Sequence, residues 1–217
     1  MSRRAADDAI YRNRVLVNGG PPSAGQQVEP SDNVTLDGSA ITPPVNTTTI
    51  MLNKPTGYVC SREGQGNRTV YDLLPLELHT LKPVGRLDKE SSGLILLTTD
   101  GALAQQLTHP KYQKRKVYHV ELDKPLAPLH RQMISDHGIS LEDGVSTFII
   151  DRYEQADAPI QPDTAWEITL AEGRNRQIRR TFGALGYEVV KLHRTVFGNY
   201  RLTTLPEGKY QTIEPAS

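Results

Sequence analysis

The chain has 217 residues, of which 37% are hydrophobic and 23% charged, enough for one sizeable core or for a small domain attached to a larger one. No apolar run approaches the roughly 18 residues that a bilayer span requires. The opening MSRRAADDAI has no hydrophobic stretch behind its arginines to make a secretory signal. Cys60 is the single cysteine, which excludes an internal disulfide framework and a cysteine metal cluster and points to a reducing cytosol. Lys+Arg and Asp+Glu both total 25, so only the placement of the cations can mark a nucleic-acid surface.

The first elements form a small unit. SRRAADDAIYRN has helical composition, Val15-Leu16-Val17 is a short strand closed by an Asn18-Gly19 turn, and NVTLDG ends in a second turn at Asp37-Gly38. PPSAGQQVEPSD between them is rich in turn formers, and Pro43-Pro44 with the following threonines reads as a linker over 43–49. From Ile50 the pattern changes to strands and helices in alternation, over 50–217. TIMLNKP is a strand closed by proline, and LILLTTDG is an apolar run of strand length that predicts a buried central strand. Asp100 is placed to cap the helix ALAQQLT, which stops at His109-Pro110. KVYHVEL alternates, so that Tyr118, Val120 and Leu122 share one strand face. A helix from about Pro128 to Asp136 and a strand WEITL follow.

RQIRRTFGALG predicts a helix whose Ile178, Phe182 and Leu185 form one apolar face, with Arg176, Arg179 and Arg180 on the other, Asn175 as N-cap and Gly186 at the C-terminus. These elements together predict an α+β fold with a mixed, largely antiparallel sheet and flanking helices.

Cations gather at two places. Lys111, Lys114, Arg115 and Lys116 lie in one stretch and Arg174, Arg176, Arg179 and Arg180 in another, and Glu188 is the only acid between Arg174 and Arg201. A run of charge is first of all a solvated face, but these two flank apolar segments that carry motifs. In GRLDKESSGLILLTTDG, Asp88 sits in a polar turn just before the buried strand, where a carboxylate is held well enough to serve as a nucleophile. The same position also suits a turn aspartate that bonds its own backbone.

GRLDKESSGLILLTTDG resembles the catalytic motif of the bacterial ribosomal-RNA pseudouridine synthases, in the branch of the small-subunit enzyme and its large-subunit relatives. Gly85, where a sister branch has histidine, favours that branch. NKPTGYVCSR, KVYHVEL, EGRNRQIRR and KLHRTVFGNYRL resemble further elements of the family in the same order, covering Ile50 to about Leu202. The resemblance implies Asp88 as the catalytic carboxylate, Tyr118 as the ring that packs on the target base, and Arg179 as the cation that pairs with Asp88 and holds it ionised. It also implies RNA contacts from Arg86, which could fill the place of the displaced base, and from Lys54, Lys116, Arg174, Arg176 and Arg180.

Residues 1–42 resemble an S4-type RNA-binding module, shortened because the family's helix before SRRAADDAIYRN is not part of this sequence. The implied function is the isomerisation of a uridine in ribosomal RNA, in the large-subunit RNA ahead of the small-subunit RNA. The implied setting is a cytoplasmic monomer away from membranes, with no metal and no cofactor. His109, His119 and His193 lack metal-ligand spacing and are expected to be structural or solvent-facing. Two other readings compete. One is an S4-type rRNA-binding protein that has lost its chemistry, against which Asp88, Tyr118 and Arg179 all being present argues. The other is a hydrolase using Asp88 and Glu90, against which the lack of an accompanying histidine or metal cluster argues.

Overall fold

The computed structural model describes residues 3–42, 47–153 and 163–214, and the chain divides into two compact units, 1–46 and 47–217. In the first unit, α1 (Arg3–Tyr11) precedes three short strands, β1 (Val15–Val17), β2 (Val34–Leu36) and β3 (Ser39–Ala40), paired antiparallel in the order β1-β2-β3. Both predicted tight turns form, with Asn18 and Gly19 at φ 52° and 83° and Asp37 and Gly38 at φ 51° and 79°. That left-handed pair matches the twist of an antiparallel ribbon. Asp37 also accepts a 2.8 Å bond from Arg14 Nε, which ties the second turn to the start of β1.

The second unit is built on a nine-stranded sheet. Its strands are β4 (Thr49–Lys54), β5 (Lys82–Val84), β6 (Ser92–Thr98), β7 (Lys116–Leu122), β10 (Ile149–Arg152), β11 (Ala165–Leu170), β12 (Val189–Phe197), β13 (Tyr200–Arg201) and β14 (Tyr210–Thr212). A separate hairpin pairs β8 (Ile139–Leu141) with β9 (Gly144–Ser146). The main path runs β10-β11-β7-β12-β6-β4-β14, with β5 on β6 and β13 on β12. Only β12 and β6 pair in parallel, so the sheet is mixed and largely antiparallel, as expected. The expected linker partly lies outside the described residues (43–46), and its last residue, Thr49, already opens β4, where its hydroxyl meets that of Thr98 at 2.7 Å.

Helices cover parts of both faces: α2 (Gly101–Thr108), α3 (Pro128–Gln132) and α4 (Gln177–Ala184). On one face Ile50, Leu52, Ile95, Leu97, Val120 and Ile168 pack against Ile178 and Phe182 of α4; on the other, Met51, Leu94 and Leu96 pack against Leu103 and Leu107 of α2. Every residue of β6 is therefore buried, which explains its near-continuous apolar run. Asp100 caps α2 through bonds from the Ala102 and Leu103 amides at 2.8 and 3.0 Å. Among the described residues no helix is long and apolar enough to cross a membrane.

Two helix expectations need correction. The helix expected over Pro128 to Asp136 is regular only to Gln132 and then widens into a π turn, Met133–His137, closed by the Gly138 amide on the Met133 carbonyl at 2.8 Å. At α4 the N-cap is Arg176, in the left-handed region at φ 47°, and not Asn175. The chain is turned there because Gln177 reaches back, its Oε1 accepting from the Arg174 amide at 3.2 Å.

Gly93 permits the parallel pairing of β6 with β12. It lies opposite Arg194 at φ 104°, and a methyl group built there would collide with the Arg194 backbone carbonyl and amide. Gly93→Ala is expected to destabilise the protein by about 2 kcal/mol or more, from left-handed strain plus forced separation of β6 and β12. Thermal unfolding would show it as a lowered midpoint, and an unchanged midpoint would contradict the close approach.

A candidate catalytic groove

The site grows from the loop between β5 and β6, residues 85–91. Its backbone is fastened by two buried side chains, Lys54 and Cys60, and by backbone amides. Lys54, fully buried at the end of β4, donates from Nζ to the carbonyls of Ser91 at 2.6 Å, Pro55 at 3.0 Å and Asp88 at 3.1 Å. Burial lowers the pKa of that ammonium. The Cys60 thiol acts as a strand partner for Leu87, accepting from its amide at 3.4 Å and donating to its carbonyl at 3.3 Å. The Gly57 amide holds the Lys89 carbonyl at 2.7 Å, and the Ser91 amide closes the turn on the Asp88 carbonyl at 3.1 Å. With its peptide fixed this way, the Asp88 side chain remains 32% exposed at the edge of a groove of about 830 Å³.

Asp88, Arg86, Tyr118, Lys116, Arg174 and Arg176 all line this groove. Tyr118 comes from β7 and is 8% exposed. Arg86 is exposed and has no hydrogen-bond or ion-pair partner among the described residues, which leaves it available to a ligand. Lys116 is half-buried, its Nζ on the Glu172 carbonyl at 3.2 Å, and burial followed by the charge of Arg194 lowers its pKa.

The cation at ion-pair distance from Asp88 is Arg176, its Nη1 3.7 Å from Oδ2, and the same nitrogen is 2.9 Å from Glu90 Oε2. That bond holds the Glu90 carboxyl below its ordinary pKa. The expected Asp88–Arg179 pair is not present. Arg179 instead donates to the carbonyls of Val189 at 2.6 Å and Glu90 at 3.0 Å and lies outside the groove lining. It pins α4 and β12 to the carboxylate loop from behind. Burial, then repulsion from Arg176, lowers its pKa.

Three other expected RNA contacts are otherwise engaged. Lys54 is enclosed, as described, because β4 ends inside the sheet and the nearby loop carbonyls need a donor. Arg180 lies outside the groove lining and makes a two-pronged bond to Asp143, at 3.1 and 2.7 Å. Arg174 lines the groove, but its guanidinium is taken up by Asp143, Glu172 and the carbonyls of Gly144 and Val145, at 2.9–3.3 Å. These two arginines anchor the β8–β9 hairpin beside the groove.

Sequence reasoning gave no role to Arg194, which lines the groove at 2% exposed, or to Cys60 beneath it. A charged residue at a sheet-facing position of the apolar strand KLHRTVF was the available signal. His119 and His193, adjacent in the register to Tyr118 and Arg194, occupy the opposite face of the sheet. His193 Nδ1 lies 2.9 Å from Ser92 Oγ, and burial with the charge of His193 pushes His119 down to about 4. No group of three or more His, Cys, Asp or Glu that could hold a metal ion occurs among the described residues.

Comparison with known proteins agrees with this architecture. A solved structure described as a pseudouridylate synthase superimposes with a TM-score of 0.70 at 30% identity, covering 99% of this chain and 91% of that one. The chain is 34% identical to ribosomal large subunit pseudouridine synthase B of Bacillus subtilis, over 99% of its own length and 87% of that protein's. It is 36% identical to the Pseudomonas aeruginosa protein of that name, of which it spans 56%. It is 33% identical to ribosomal small subunit pseudouridine synthase A of Pasteurella multocida, covering 98% of this chain and 90% of that one. Since residues 48–184 also match the family described as RNA pseudouridylate synthase, the chain belongs to that family of RNA-modifying isomerases.

Proposed function

We propose that the protein converts a uridine of large-subunit ribosomal RNA to pseudouridine, with Asp88 as the carboxylate that opens the glycosidic bond. The observation that carries this reading is Asp88 itself, a half-exposed carboxylate on a rigidly bonded loop, facing a groove that also holds a tyrosine ring and cations. Uridine and pseudouridine are isomers, so the reaction balances without an oxidant, a reductant or a phosphoryl donor. What it needs is a group that attacks the sugar carbon or removes the neighbouring proton, and a carboxylate does either.

Tyr118 provides the surface for the displaced base, worth about 1–3 kcal/mol of stacking. That offsets much of the few kcal/mol that unstacking the nucleotide costs. Arg86, exposed on the groove two residues before Asp88, takes the space the base leaves, and Arg176 keeps positive charge beside the carboxylate. Arg179 is a positioning residue that holds the Asp88 loop. Residues 1–42 act as an S4-like RNA-binding module and 50–217 as the catalytic domain, and the protein works as a cytoplasmic monomer.

The large-subunit target rests on the KLHRTVFG and EGRNRQIRR segments and on the names of the B-type relatives; the A-type relatives keep the small-subunit RNA as the second reading. Purified protein given transcripts of each RNA carrying tritium at uridine C5 separates them, because the new bond forms at C5 and expels that hydrogen. Release from the large-subunit transcript is expected. Release confined to the small-subunit transcript would reverse the assignment, and release from neither would refute the activity.

A further inference from the structure

Arg194 is the most unusual charge in the protein. It is 2% exposed, and no carboxylate lies within ion-pair distance among the described residues. Its Nε donates to the Leu94 carbonyl at 2.8 Å, its guanidinium carbon sits 4.7 Å from the centre of the Phe197 ring, and its Nη2 is buried with no hydrogen-bond partner. Its nearest charged company includes Lys54 and Lys116, both positive. The acids on the adjoining loop, Asp88 and Glu90, are met by Arg176. Removing a cation from water without a counter-charge is unfavourable, and a carbonyl and an aromatic face recover only part of that cost. Such a group is poised for a negative partner that arrives from outside.

Position identifies that partner. In the β12–β7 register Arg194 is directly opposite Tyr118, so both side chains leave the same face of the sheet and are close neighbours. A base stacked on Tyr118 therefore brings its polar edge to the guanidinium. A phosphate, which keeps its charge and its water, is better met at the rim by exposed Arg86 or by Arg176.

We propose that Arg194 takes up the negative charge of the uracil as its bond to the sugar breaks, a role that rests on the uridine-isomerising reading above. When N1–C1′ breaks, its electron pair stays on N1 and spreads to O2 and O4. C1′ is capped by an Asp88 oxygen, or Asp88 removes the C2′ proton. The base then turns and C5 bonds C1′ as the Asp88 oxygen leaves that carbon, or as Asp88 returns its proton to C2′; the C5 proton then leaves and N1 gains one. Uracil is neutral before and after, and it is charged only between. A buried cation with an open donor thus binds the intermediate and the flanking transition states better than the substrate, which is how such a group raises turnover without raising affinity.

The test compares RNA carrying uridine with RNA carrying 5-fluorouridine at the target, in single-turnover reactions read as loss of the parent nucleoside in chromatographed digests. That readout serves both, since fluorine leaves no C5 proton to depart and halts its reaction at the C5–C1′ adduct. Fluorine makes the base a better leaving group, so it needs less help. Arg194→Met is expected to slow uridine conversion about 100-fold or more, with RNA affinity within about threefold of wild type. The deficit is expected to be about tenfold smaller with 5-fluorouridine, the more stable base anion needing less of the cation. Arg194→Lys, which keeps the charge, is expected to fall between wild type and Arg194→Met with the same dependence on the base, and it carries the test if Arg194→Met fails to fold. An equal deficit on both bases, or an affinity loss matching the rate loss, overturns the proposal. If wild-type protein converts neither RNA, the uridine-isomerising reading itself fails. If wild type converts both and the variants match it, only Arg194 loses its role.

Discussion

Asp88→Asn is expected to abolish tritium release from C5-labelled RNA, a fall of at least about a thousandfold, while RNA affinity stays within a few-fold. The amide matches the carboxylate in size, and the loop around it is held through backbone groups: the Asp88 carbonyl by Lys54 and the Ser91 amide, and the neighbouring Leu87 by Cys60. None of these bonds involves the side chain. The substitution therefore removes negative charge and nucleophilicity with little disturbance of the fold. The 3.7 Å ion pair with Arg176 is lost, with the longer-range pull of the carboxylate on Lys54 and Arg179, and Arg176 keeps its shorter bond to Glu90. Normal turnover by the asparagine variant would mean that another group performs the chemistry.

Lys54→Met is expected to produce the largest loss of stability. The methionine fills a similar volume but leaves the Pro55, Asp88 and Ser91 carbonyls, now held at 2.6–3.1 Å, without their donor. An orphaned buried acceptor costs about 1–3 kcal/mol. Relief from burying a charge returns part of that, so a net loss of about 2–4 kcal/mol is expected. Activity falls further than stability requires, because two of the three carbonyls belong to the turn that presents Asp88. Chemical denaturation together with single-turnover rates at low temperature, where the variant is folded, measures both. A variant as stable as wild type but weakened in RNA affinity would restore Lys54 to the phosphate-binding role that its sequence context suggests.

Elements with strong local causes were legible in the sequence. LILLTTDG could be read as a central strand because burial on both faces removes alternation, and the structure pairs it with β4 on one side and with β5 and β12 on the other. Asn18-Gly19, Asp37-Gly38 and the Asp100 cap follow from single residues whose backbone or side chain suits one conformation. The convergence of Asp88, Tyr118, Arg86, Lys116, Arg174 and Arg176 on one groove was likewise anticipated by ordered motifs.

Side-chain pairing over long range was not legible. Arg174, Arg176, Arg179 and Arg180 lie within two helical turns, and sequence spacing cannot say which of them reaches a carboxylate. That is decided by the left-handed backbone at Arg176 and by Asp143, more than thirty residues away, which takes Arg174 and Arg180. Lys54 read as a surface cation because lysine usually is one. Only the folded loop shows three carbonyls converging on it. Arg194 was hidden for the same reason: its meaning comes from Tyr118 opposite and Leu94 beside it, and neither is near in sequence.

The most direct test is the nucleoside content of an unmodified large-subunit rRNA transcript after incubation with the purified protein and no added cofactor. Digestion and chromatography are expected to show pseudouridine gained and uridine lost in equal amount, at unchanged RNA mass, with no pseudouridine when the Asp88→Asn protein is used. RNA that is bound by the wild-type protein yet contains no pseudouridine, in this transcript or in the small-subunit one, would contradict the assignment of Asp88 and its groove to uridine isomerisation.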